Sequence, residues 1–159
     1  NRKILYQESI MSRAYTTRRL GIVSAIVEKL KDINGAGAFL SDLNENVSPR
    51  LKFWDEVEEF PAVHLNAGSE TREYQGGGYK DRFLSITLRC YVQAEDSVAA
   101  LDELMEDIET VLEENSQLQY LDRTSTAHYT QQITIVSIDT DEGVLEPLGV
   151  GEMLIEVRY

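Results

Sequence analysis

Catalysis in this sequence would have to begin from His64, His128 and Cys90, the two histidines and the lone cysteine. His64 sits out of phase with Val63 and Leu65 in a short alternating run, so it belongs on a surface or sheet edge. His128 lies among Thr and Tyr in a polar stretch. Cys90 is flanked two residues away on either side by Leu88 and Val92, which puts it on a buried strand face. There a thiol acts as a small hydrophobe and makes a poor nucleophile. No nucleophile–base constellation can be assembled from these groups, so hydrolase or transferase chemistry has no support. Gly76-Gly77-Gly78-Tyr79-Lys80 lacks the spacing of a phosphate loop and falls between strands instead of opening a helix. The acidic residues between 95 and 114 follow a helix, not a calcium-binding loop, and read as a solvated face. Asn46-Val47-Ser48 fits the glycosylation triplet and carries no weight without a secretory signal. Neither a cofactor nor a metal is called for.

Net charge bounds the partners. Fifteen Lys and Arg against 28 Asp and Glu leave −13 over 159 residues. A nucleic-acid grip needs a basic face, and this composition argues against one. The charge is uneven. Residues 1–31 hold seven basic side chains (Arg2, Lys3, Arg13, Arg18, Arg19, Lys29, Lys31) and two acidic ones. Residues 95–114 hold nine acidic side chains and no basic one. Such asymmetry suits head-to-tail contact between copies, and a plain solvated helix face accounts for the acidic segment equally well. A composition 42% hydrophobic, with one cysteine, suits one domain with its own core and no disulfide framework. No apolar run reaches the ~20 residues of a membrane span, and Arg2 and Lys3 have no hydrophobic stretch behind them. The expectation is a soluble protein of a reducing compartment.

The elements follow from periodicity. Residues 1–15 form a polar, basic arm with no clean period. From Thr16 to Ile33, Leu20, Val23, Ile26, Val27, Leu30 and Ile33 make a helical stripe, with Thr16 or Thr17 as N-cap and Asn34-Gly35 as the stop. Ala38-Phe39-Leu40 is a weak strand candidate, followed by a polar loop, Asp42–Arg50. Pro61 suits the start of a strand through Val63 and Leu65. The clearest strand is Phe83–Gln93, with Leu84, Ile86, Leu88, Cys90 and Val92 on one face and Ser85, Thr87, Arg89, Tyr91 and Gln93 on the other. Before it, Glu70–Gln75 has strand propensity but no aliphatic face. With Gly76–Gly78 it predicts a hairpin, 70–80, projecting beyond the core. A second helix spans Asp96–Glu114, with Val98, Leu101, Leu104, Met105, Ile108, Val111 and Leu112 inward. A polar stretch, Asp122–Tyr129, leads to strands at Gln132–Ile138 and Gly151–Tyr159, joined through turn chemistry at Asp141-Glu142-Gly143. The fold class is α+β: one domain, a mainly antiparallel sheet, and two helices packed on one face.

Of the eight tyrosines, Tyr6, Tyr15, Tyr74, Tyr79 and Tyr159 fall in polar segments or at the ends. Contact with another protein and ordinary half-burial account for them equally well. Hairpin and arm are the segments whose composition needs a partner. Their candidate interface residues are Arg72, Tyr74, Tyr79 and Lys80, and Arg2, Tyr6, Arg13 and Tyr15.

Taken together, the chain resembles the tail terminator (tail completion) proteins of long-tailed bacteriophages, and among them those of siphophages of the T5 type. The resemblance rests on the first helix, on Trp54-Asp55-Glu56-Val57 and Phe60-Pro61-Ala62-Val63-His64-Leu65, and on the hairpin through Gly76–Gly78. The strand Leu84–Gln93, the acidic helix and the closing strands complete it. It implies a structural virion protein without catalytic residues, at the head-proximal end of the tail and in host cytoplasm during assembly. Copies would form a homo-hexameric ring on the tail tube protein, stop tube growth, and receive a head completion or connector protein. DNA would pass through an acidic lumen without specific binding. The basic arm is not required by the family pattern. The alternative is a small-ligand-binding or regulatory α+β domain acting as monomer or dimer.

Overall fold

Five alternating apolar residues make β3 (Lys80–Gln93) the centre of the sheet. In the computed structural model, which describes residues 18–159, β3 pairs antiparallel with β2 (Ala62–Tyr74) on one side and with β7 (Leu148–Arg158) on the other. Strand β6 (Gln132–Thr140) extends β7, and β1 (Val47–Ser48) lies parallel to β2, giving the order β1-β2-β3-β7-β6. Register aligns the apolar faces: Leu88 stands opposite Leu65 and Met153, and Leu84 opposite Val157. Leu84, Ile86, Leu88, Cys90, Met153, Ile155 and Val157 are fully buried.

Both helices cover that face. Helix α1 (Arg19–Leu30) buries Ile22, Val23, Ile26, Val27 and Leu30. Helix α2 (Ser97–Glu114) buries Leu101, Leu104, Met105, Ile108, Val111 and Leu112, and all of these join one core. Asp96 caps α2 by accepting from the Ala99 N–H at 3.2 Å. The helix lies so close to β7 that a Cβ on Gly151 would stand 2.2 Å from Met105 Cε. The fold is therefore the α+β arrangement that the sequence predicts.

Several local expectations are corrected. Helix α1 ends at Leu30 with Lys31 as C-cap, short of Asn34-Gly35, and its N-cap is Arg18, without a side-chain bond. Thr16, Thr17 and the arm 1–15 lie outside the described residues. Leu20 is 81% exposed instead of lying in the core stripe, because the first turn of α1 faces a cleft. Val98 is likewise exposed, and lies against the turn at Gly143. Ala38-Phe39-Leu40 forms no strand. It is held as a loop by Asp107, whose carboxylate accepts from the Leu40 N–H at 3.0 Å, the Ser41 N–H at 2.7 Å and the Ser41 hydroxyl. Asp107 is therefore buried, and the acidic helix face is not uniformly solvated.

His64 is buried, not at a surface, with Nδ1–H donating to the Arg50 carbonyl at 2.8 Å. Burial holds its pKa below the usual value, against the raising effect of that bond. Tyr91 is buried too, because residues 49–61 fold over this part of the open sheet face and its hydroxyl donates to the Lys52 carbonyl. The stretch 119–129 is a second small sheet, β4 (Gln119–Leu121) against β5 (Ala127–Tyr129), which periodicity did not signal.

Leu88 tests the register. Leu88→Asp places a carboxylate where nothing can pair with it, and chemical denaturation should show a loss of several kcal/mol. A variant unfolding at the parent's midpoint would contradict this strand phase.

Candidate functional site

Past Glu70 the hairpin has no core beneath it. Strands β2 and β3 stay paired from Glu70↔Leu84 to Tyr74↔Lys80, and a short 3-10 turn, Gly76–Gly78, closes the end. Gly77 and Gly78 take φ of 77° and 83°, a left-handed backbone that glycine adopts without strain. Tyr74 and Tyr79 are 71% and 75% exposed, and the Lys80 ammonium lies 5.2 Å from the Tyr74 ring centroid. Arg72 is not free: its Nε donates to Glu70 Oε2 at 2.8 Å, which raises the guanidinium pKa further.

The hairpin base is fastened to the end of the chain. A β-bulge between Ala67 and Glu70 turns Glu70 toward Tyr159, whose hydroxyl donates to Glu70 Oε1. Tyr159 also exchanges backbone hydrogen bonds with Arg82, at 2.9 and 3.0 Å. The Arg18 and Arg82 guanidinium groups lie 5.6 and 5.5 Å from the Tyr159 ring centroid. Arg72 stands across the strand pair from Arg82. Thus a chain of net charge −13 gathers three arginines around one tyrosine. Tyr159 is buried, which corrects the sequence placement of this residue among polar-segment tyrosines. Burial, then the Glu70 carboxylate, pushes its phenol up to about 12.

Beside this cluster, α1 and β4 enclose a cleft of about 880 Å³. Leu20, Tyr120 and Leu121 line it together with Arg18, Arg19 and Arg123. Gly21 makes the close packing of the two elements possible, because a Cβ there would stand 2.1 Å from the Leu121 carbonyl oxygen. Arg18 donates to the Tyr120 hydroxyl at 3.1 Å, and Tyr120 stacks on His128 at 5.7 Å. His128 Nε2 lies 2.8 Å from Asp122 Oδ2. Thr124, His128 and Thr126 together hold the Asp122 carboxyl well below the usual range. His128 thus helps to fix the 122–128 turn. Cys90 is buried on the core face, and its thiol is pushed up to about 12.

The structure brings Arg72, Tyr74, Tyr79 and Lys80 together on one ribbon. Arg2, Tyr6, Arg13 and Tyr15 lie outside the described residues. Sequence reasoning missed the cleft and the Arg18–Tyr159–Arg82 cluster. Neither has a local signal, since the cleft joins segments 18–28 and 119–123 and the cluster joins Arg18, Arg82 and Tyr159, all far apart in sequence. Among the described residues no three His, Cys, Asp or Glu side chains converge as a metal site, and no helix is long and apolar enough to cross a membrane.

Fold and surface together define a small α+β domain with a polar hairpin, a basic cluster at its base and an apolar cleft. Residues 16–159 match the family of the bacteriophage tail tube terminator protein, and the chain belongs to that family. It is 30% identical over 149 residues to the tail tube terminator protein of Escherichia phage T5, spanning 89% of this chain and 92% of that protein. A chain in the virion of a native gene transfer agent particle shares the fold, with a TM-score of 0.60 at 10% identity. That alignment covers 91% of this chain and 98% of the other.

The Tyr159–Glu70 contact has a pH signature. The folded phenol keeps its proton to about 12, while an unfolded chain gives it up near 10. The folded state then binds more protons between those values, so stability is full below pH 10 and falls as pH rises toward 12. Tyr159→Phe should flatten part of this alkaline loss in denaturation curves taken from pH 8 to 12. It should also speed amide exchange at residues 70–74. An unchanged alkaline slope would remove Tyr159 from the latch.

Proposed function

We propose that this chain is a structural virion protein, not an enzyme, that forms a ring of six copies on the finished tail tube. The ring ends tube polymerisation and presents the surface to which the head completion or connector protein joins. The observation that carries this reading is membership, over residues 16–159, of the tail tube terminator family. The hairpin supports it. A ribbon with two tyrosines 71% and 75% exposed, and no apolar face of its own, is suited to a contact made on assembly. Arg72, Tyr74, Tyr79 and Lys80 are the proposed contacts to the tube, together with Arg2, Tyr6, Arg13 and Tyr15 of the arm 1–15. The net charge of −13 suits a lumen through which DNA passes without adhering, since adhesion requires cations against phosphate. The protein would act in the host cytoplasm during assembly and remain at the head-proximal end of the tail.

Termination requires asymmetry. One face of the ring must satisfy the last tube ring, and the other must refuse a further one. Deleting the gene and measuring tails by electron microscopy tests the reading: overlong tubes without heads are expected, and normal infectious particles would overturn it. A finer test replaces Thr71–Lys80 by a two-residue turn. The Glu70↔Leu84 pair and the core beneath it remain, so the melting temperature should change little. Tube length should become uncontrolled. A folded deletion variant that still gives tails of normal length would take the hairpin out of the mechanism.

A further inference from the structure

The turn between β6 and β7 is the counterpart of the cleft. It runs Asp141-Glu142-Gly143-Val144-Leu145-Glu146-Pro147 and carries three carboxylates beside Val144 and Leu145 on one small projection. Val144, at its tip, is 82% exposed, and Leu20, in the cleft, is 81% exposed. No other large hydrophobic side chain among the described residues is as open to solvent. Leu145 is exposed beside Val144, and Glu142 and Glu146 flank the pair. The shape of the turn is fixed internally, because the Asp141 carboxylate accepts from the Leu145 N–H at 3.2 Å.

The two patches are opposite in charge and alike in having an apolar centre. The knob has acids around Val144 and Leu145. The cleft has Arg18, Arg19 and Arg123 around Leu20, Tyr120 and Leu121. The acids within the cleft are engaged locally: Glu28 accepts from Lys31 at 3.0 Å, and Asp122 is held by Thr124, Thr126 and His128. The patches also lie at opposite ends of the strands. The knob follows the end of the sheet where Gln93 pairs with Leu148, and the cleft adjoins Tyr159, past the end where Phe83 pairs with Arg158. One copy therefore cannot bring its own knob to its own cleft.

From this geometry we infer that the 141–147 knob of one copy seats in the α1–β4 cleft of a second copy. Val144 and Leu145 meet Leu20 and Leu121, while Glu142 and Glu146 meet Arg19 and Arg123. The contact is heterologous, leaving a free knob and a free cleft on the pair, so copies can be added until rotation closes the assembly. The inference rests on the proposed ring and names the surfaces that join its subunits.

A cross-link tests it in the full chain. Leu20→Cys and Val144→Cys are both at open positions and should fold like the parent, which circular dichroism checks. Cys90 is buried and leaves the new thiols as the accessible ones among the described residues. The two variants are mixed, with and without purified tail tubes, and treated with a short bismaleimide. A covalent dimer joining position 20 to position 144 is expected in the mixture, with none from either variant alone. No such dimer in either condition, or equal cross-linking in the single-variant samples, overturns the inference. Tube length measured with the parent protein separates the two claims. Length control without the cross-link sinks the knob-and-cleft contact alone. The cross-link without length control sinks the terminator reading and leaves the contact standing.

Discussion

One apolar sheet face, centred on Leu84, Ile86, Leu88, Cys90 and Val92, has to be kept from water, and the rest of the molecule is arranged around that need. Each of the aliphatic ones is worth roughly 1.5–3 kcal/mol when fully buried, so a misplaced cover would cost an amount comparable to a small domain's whole net stability. Two helices on one side meet the requirement. Their positions then fix the ends of the sheet: the turn of β6 into β7 falls beside the start of α2, and the chain end at Tyr159 falls beside the start of α1. What projects from the domain is what this core does not need.

Legibility in the sequence follows the same division. Wherever a segment has one wet and one dry face, its period declares it, and so β3, β7 and α2 are readable from residue order alone. Failure comes where burial has a non-periodic cause. His64 and Tyr91 are covered by residues 49–61, a loop with no period, anchored through the Arg50 and Lys52 carbonyls. Asp107 belongs by spacing to a solvated acidic face, yet it is buried because a distant loop needs an acceptor for Leu40 and Ser41. The pair β4–β5 is too short for period-2 alternation to register. Leu20 fits the helical stripe by arithmetic, but it opens to the cleft, while Ile22 in the same turn of α1 is the residue that enters the core.

The candidate surfaces divide similarly. The hairpin is visible in sequence because an absence of aliphatic residues between 70 and 80 is itself a pattern. The basic cluster is not, since Arg18, Arg72, Arg82 and Tyr159 meet only after β2, β3, β7 and α1 are in place. Its electrostatics depend on that meeting. Cross-strand Arg72 and Arg82 repel, and a partner carboxylate offsets this: Glu70, turned inward by the bulge and held by Tyr159. Tyr159 thereby connects the ribbon to the core with one side chain.

On the proposed reading, a ribbon tied at its base and free at its tip would separate two demands that conflict in a ring-forming cap. Contacts between ring neighbours must be repeatable, which favours rigid groups with fixed shape. Contacts to the end of a polymer must conform to a surface already built. Rigidity here resides in the core and in the turns that Asp122 and Asp141 lock by hydrogen bonds to nearby backbone N–H groups. Compliance resides past Glu70, where an isolated two-stranded ribbon is only marginally stable in water and its glycines permit several backbone states. A partner that orders the ribbon must therefore supply the apolar surface that the ribbon lacks, and Tyr74 and Tyr79 are the side chains that can use it. Each loses only two χ angles on burial, so the ordering cost is small against the area gained. The division of the chain into a core that packs itself and a ribbon that cannot would then be a division between what fixes the subunit's shape and what, in the proposed assembly, meets the tube.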